Sequence, residues 1–127
     1  MQQKDRLRYL CLANSTVLIT HQIDAAYWHE WELFLMPGGN QVNLLLNIPV
    51  IAWVLYAHGR VVADTETGLP FYKLLACLGL LTVGIHCVLF VRGSESFIQP
   101  MSVVLLTGTL VLSLWQLIAL RSVEKPL

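Results

Sequence analysis

Charge is what this sequence has least of. Only 13% of its 127 residues are Asp, Glu, Lys or Arg, against about 25% in an ordinary soluble domain. Its eight basic and eight acidic side chains cancel. That balance argues against a nucleic-acid binder, which needs a basic face to neutralise phosphates. Cysteine is scarce too. Cys11, Cys77 and Cys87 are an odd number, widely spaced, with no C-x-x-C pair, so neither a zinc ribbon nor a disulfide framework is expected. Each sits in an apolar run and reads as a small buried residue. There is no G-x-S-x-G, Walker loop or H-E-x-x-H: His29-Glu30 opens the last of these, but position 33 is Leu33. Internal repeats and low-complexity stretches are also lacking.

What is abundant is hydrocarbon. Hydrophobic residues make up 56% of the chain, and a small soluble globule could not hide so much apolar surface. The implied solvent is lipid. The pattern predicts an all-α, four-transmembrane-helix up-and-down bundle in a single domain, with helices over about residues 7–33, 42–57, 71–91 and 97–120. The last two reach the ~20 residues that cross the hydrocarbon; the first two are marginal alone. Turn-forming residues separate the segments at Pro37-Gly38-Gly39-Asn40, between Gly59 and Pro70, and at Arg92-Gly93-Ser94-Glu95. Pro49 should kink the second span.

Lys4, Arg6 and Arg8 could open a signal peptide, but the following stretch holds Asn14, Ser15, Thr16, Thr20 and His21, with no A-x-A site after it. It reads as a retained helix. Basic residues then set the orientation. Lys4, Arg6, Arg8, Arg60, Lys73, Arg121 and Lys125 fall at the termini and the middle connection, and only Arg92 falls elsewhere. Both termini are therefore expected in the cytoplasm, with Tyr27, Trp28 and Trp31 as an outer aromatic belt.

Polar side chains inside the spans are the candidate site. At 1.5 Å per residue, His21 lies ~20 Å and Asp24 ~24 Å beyond Arg8, and His86 ~22 Å beyond Phe71. Asn43 and Asn47 lie within ~8 Å of the outer boundary on the descending second span. All five fall in the outer half; the inner half has only scattered Asn14, Ser15, Thr16 and Gln116. His21 and Asp24 are i, i+3 and share a face, as do Asn43 and Asn47 at i, i+4. Spans one and three are diagonal in such a bundle, so their inward side chains meet. A carboxylate in hydrocarbon costs ~2.5–3.5 kcal/mol and should find a partner.

Two imidazoles and a carboxylate suit a divalent metal such as zinc, iron or manganese. His21, Asp24 and His86 are the expected ligands, with Asn43 and Asn47 as supporting donors. Glu30, an optional ligand or general base, points about 180° away from His21 on an ideal helix, so it joins only if the helix bends or ends near Trp28. The same groups could relay protons, or the two histidines could hold haem. A third alternative is a non-enzymatic scaffold or accessory subunit in which they are interhelix hydrogen-bond glue.

The stretch His21-Gln22-Ile23-Asp24-Ala25 followed by Glu30-Trp31 resembles a family of uncharacterised small bacterial four-helix membrane proteins. Its pattern is near H-x-(I/L)-D-A-x-x-x-x-E-W at the end of helix one, with a His late in helix three, matched here by His86. The resemblance covers nearly the whole chain and implies that His21, Asp24, Glu30, Trp31 and His86 act as a set. It implies a bacterial cytoplasmic membrane and no particular reaction. The partners expected are the bilayer itself and either a second copy or another membrane protein.

Overall fold

The computed structural model, which describes residues 2–124, is all-α, with no strand among the described residues. Helix α1 spans Gln3–Tyr27, α2 Glu30–Leu33, α3 Gly39–Ala63, α4 Thr65–Val91 and α5 Pro100–Glu124. Five helices replace the four expected: four are long, and α2 is a single turn. Three of them are long and apolar enough to cross a membrane, over Gly39–Ala63, Glu66–Val91 and Pro100–Ser122.

The first correction lies at the end of α1. A single helix over residues 7–33 was expected, but the chain breaks at Trp28–His29, where His29 takes a left-handed conformation with φ 52°. That geometry is costly outside glycine, by roughly 1–2 kcal/mol, so neighbours must hold it. Trp28 caps α1 through its backbone N–H and donates from Nε1 to Ser102 Oγ at 3.2 Å. The His29 ring stacks on Trp31 with centroids 4.8 Å apart. Trp28 is half-buried and Trp31 buried, so of the expected aromatic belt only Tyr27 faces outward; the tryptophans pin the break instead.

The other boundaries move for local reasons. Residues 59–70 were expected to form a connection, yet α3 runs through Gly59 and only Asp64 separates α3 from α4. The Asp64 side chain accepts from Glu66 N at 3.0 Å, capping α4. Gly68 permits the tight hairpin, because a Cβ there would meet Val61 Cα at 2.6 Å. The fourth helix starts at Pro100 rather than near Phe97, since proline is pre-set for the first helical turn. Phe97, at φ 66°, is instead folded inward and buried.

The long helices pack as a ring, α1 against α3, α3 against α4, α4 against α5, and α5 against α1, with α1 and α4 also touching across the middle. Contacts between Lys4 and Glu66, between Gln3 and Ser122, and between Arg6 and the Trp115 ring gather the start of α1, the α3–α4 hairpin and the end of α5 at one end. Lys125 lies outside the described residues.

Burial is inverted relative to a soluble protein. On α5, Ser102, Thr109, Ser113 and Gln116 are buried while Val103, Val104, Val111, Leu114 and Ile118 are exposed. The scattered inner polar residues turn out to be gathered. Asn14 Nδ2 donates to Ser113 Oγ at 3.1 Å and also to Gln116 Oε1, tying α1 to α5. Gly79 of α4 lies hard against this contact, since a Cβ there would approach Ser113 Oγ to 2.0 Å. Of the cysteines, only Cys11 is buried; Cys77 and Cys87 face outward.

Candidate functional site

At the other end of the ring the polar groups are of a different kind. Helix α1 presents His21 and α4 presents His86, the two helices that touch across the middle. The histidines are 1% and 2% exposed. Their rings meet edge to face with centroids 4.7 Å apart, and the inward Phe97 packs on both. The break at Trp28–His29 then turns the chain back, so that α2 delivers Glu30 to the same place. One ligand atom each from His21, Glu30 and His86 lies within 4.8 Å of the others.

Hydrogen bonding fixes the state of one imidazole. His86 Nδ1 lies 2.9 Å from the Thr82 carbonyl oxygen, which can only accept, so Nδ1 carries the proton. Nε2 then offers its lone pair toward Glu30 Oε1, 3.6 Å away, beyond hydrogen-bond length. His86 Nε2, His21 Nδ1 and Asp24 Oδ2 are buried with no hydrogen-bond partner. Each such orphan costs about 1–3 kcal/mol. Glu30 sits on the single turn beyond the span. Burial, and then the nearby charge of Asp24, pushes its carboxyl up from 4.5 to about 7.

Two ligands each ~2.1 Å from one tetrahedral ion lie about 3.4 Å apart. The Glu30–His86 separation of 3.6 Å already matches that spacing, and the widest separation in the triad, at most 4.8 Å, closes with small side-chain rotations. A carbonyl on the far nitrogen of a ligating histidine is the usual way to fix its tautomer. The donor set therefore fits a divalent metal.

Of the four expected metal-site residues, the structure brings His21, His86 and Glu30 together. Asp24 was expected as a ligand; it lies outside the group of three and acts on Glu30 through its charge. Asp24 stays on α1 nearly one turn beyond His21, and the turned-back α2 brings the Glu30 carboxylate to the imidazoles. Glu30 enters because the condition set for it, a helix ending near Trp28, is met. Asn43 and Asn47 line the same cavity of about 250 Å³ as the triad. Their amides are used locally, however, Asn47 Nδ2 donating to Asn43 and Asn43 Nδ2 to Asn40. Haem does not fit between the histidines, because rings already in edge-to-face contact leave no slot for a porphyrin. The residues missed by sequence reasoning are Thr82 and Phe97. Thr82 could have been found as the residue four before His86.

The model of DUF6713, a family of unknown function, matches residues 7–123. No curated protein and no solved structure matches the chain.

Proposed function

We propose that this chain, which belongs to the DUF6713 family, is a four-span membrane protein that holds a divalent transition metal between His21, Glu30 and His86. The observation that carries the reading is the convergence of ligand atoms from two buried histidines and a half-buried glutamate on three helices, each imidazole leaving one nitrogen without a hydrogen-bond partner. Two histidines and one carboxylate are the donor set of catalytic zinc and of non-haem Fe(II), with manganese a third candidate. Held by His21, Glu30 and His86, such a metal would supply Lewis-acid chemistry to water or a substrate. The cavity beside the triad supplies the room.

Helix α1, with its charged first turns, serves as the fourth span alongside the three apolar helices. Lys4, Arg6, Arg8, Arg60, Lys73 and Arg121 mark the cytoplasmic end, which puts the triad in the outer half of the membrane. A bacterial cytoplasmic membrane is the setting in keeping with the family resemblance.

Metal analysis of the purified protein tests the reading. Wild type should carry a stoichiometric divalent metal, and His86→Ala and Glu30→Gln should each lose it. Equally negligible metal in all three, after incubation with zinc and with ferrous iron, would sink it. Proton handling is the second reading, favoured by the Glu30–His86 pair at 3.6 Å. It expects a metal-free wild type whose Glu30 carboxyl titrates near neutral pH.

A further inference from the structure

The cavity beside the triad does not stop at the polar groups. Val50 of α3 and Leu78 of α4 form part of its wall, and the same two residues line an apolar groove of about 450 Å³ between those helices. Pro49, Trp53, Leu74, Cys77 and Leu81 complete that groove. Pro49 removes one helical hydrogen bond from α3, a usual cause of a bend. The direction of the groove matters. From His86 to Cys77 is nine residues of α4, about 13 Å along the axis. It therefore leads from a polar site near the ends of the spans into the part of the bundle that lies in hydrocarbon.

A polar pocket near the membrane boundary joined to an apolar groove running toward the midplane has the shape of an amphiphile lying in the bilayer. We infer that the site takes a membrane-dissolved ligand: a neutral, oxygen-bearing ring on a hydrocarbon tail, with the ring beside His21, Glu30 and His86 and the tail between α3 and α4. The chemistry of the head follows from the lining. No Lys or Arg lines the cavity, and Glu30 does, so a phosphate or carboxylate head would meet an acid with no cation to offset it. Gln22 offers an amide to a carbonyl or hydroxyl oxygen, while Trp31, Phe34 and Met36 supply an apolar wall for a flat ring. A quinone or an alkylphenol has this chemistry.

The inference rests on the metal reading only in treating the triad as a place for a ligand's polar end. Its test therefore reads ligand and metal separately. The probe is decylubiquinone added to the purified protein in maltoside micelles, with the bound fraction read by native mass spectrometry beside dioleoylphosphatidylglycerol. Wild type is expected to retain the quinone and to gain no comparable phosphatidylglycerol adduct. Leu78→Trp, which fills the shared wall and replaces no metal ligand, should lower quinone retention tenfold or more while its metal content stays at the wild-type level. Cys77→Trp, at an exposed position in the groove, gives the same block should Leu78→Trp fail to fold. Quinone retention unchanged in the folded groove variants, no retention by wild type, or equal retention of the phospholipid would each overturn the inference. Loss of metal in His86→Ala would leave it standing.

Discussion

The two ends of this bundle both bury polar side chains, and they do so to different ends. At the basic end, Asn14, Ser113 and Gln116 are neutral and hydrogen-bonded to one another across α1 and α5, closed over by Gly79. At the other end, His21, Glu30 and His86 are ionisable, face a cavity, and leave imidazole nitrogens unpartnered. The glue reading of intramembrane polar residues thus describes the first cluster well and the second badly. The inner amides also leave Asn14 Oδ1 and Gln116 Nε2 without partners, so the difference lies in kind and setting: neutral groups tied across two helices at one end, ionisable ligand atoms beside a cavity at the other.

Stability should separate the two clusters most sharply. Gly79→Ala forces a methyl group into Ser113 Oγ and should destabilise the fold by about 1–3 kcal/mol, the usual range for overpacking. Asn14→Leu strands Ser113 and Gln116 and should cost about 1 kcal/mol, near the upper range for one hydrogen bond within a membrane. The double variant His21→Leu/His86→Leu removes two unpartnered imidazole nitrogens and gives up one local hydrogen bond, His86 Nδ1 to the Thr82 carbonyl, so in the metal-free protein it should change stability by less than ~1 kcal/mol or raise it. Reversible unfolding in mixed micelles measures all three. A triad variant as damaging as Asn14→Leu would erase the contrast and make the histidine cluster glue as well.

The long apolar helices were readable from composition and turn residues, as was the meeting of His21 with His86, because depth in a membrane is fixed by counting residues along helices. The break at His29 was not readable. No glycine or proline marks it, and what holds it is tertiary: the Trp28–Ser102 hydrogen bond and the inward Phe97 lie more than sixty residues away in sequence. The place of Glu30 turns on the same break, because it was expected to join only if the helix ended near Trp28. On a continuous helix Asp24 shares the face of His21 and Glu30 does not; the break leaves Asp24 where it is on α1 and brings Glu30 to the two imidazoles. Asn14 and Gln116 read as scattered rather than as a cluster because Ser113 is unremarkable in sequence until α5 is set against α1.

The clusters should also differ in their response to pH. The inner one has no group that titrates near neutrality. Glu30 rises from 4.5 to about 7 in the folded protein, so between those values the folded state holds a proton that the unfolded state has released. The metal-free protein should therefore lose stability as pH rises from about 4.5 to about 7 and level off above. Glu30→Gln should abolish that slope, whereas Asn14→Leu should keep it. Metal affinity should move the opposite way, rising with pH as the metal displaces the Glu30 proton.

The smallest expected effect decides which carboxylate is the ligand. If Asp24 only adds charge near Glu30, Asp24→Asn keeps the metal and lowers the Glu30 midpoint, because the second-largest cause of its elevation is gone while burial remains. Affinity should then change by less than the 10–100-fold that follows loss of a group bonded to a ligand. If instead Asp24 belongs in the coordination sphere, the same substitution empties the site as thoroughly as His86→Ala does, and Glu30→Gln becomes the mild one. Metal content and the pH midpoint, measured on this pair of carboxylate variants, give opposite patterns for the two arrangements. They also reveal whether the left-handed turn at His29 exists to bring Glu30 inward.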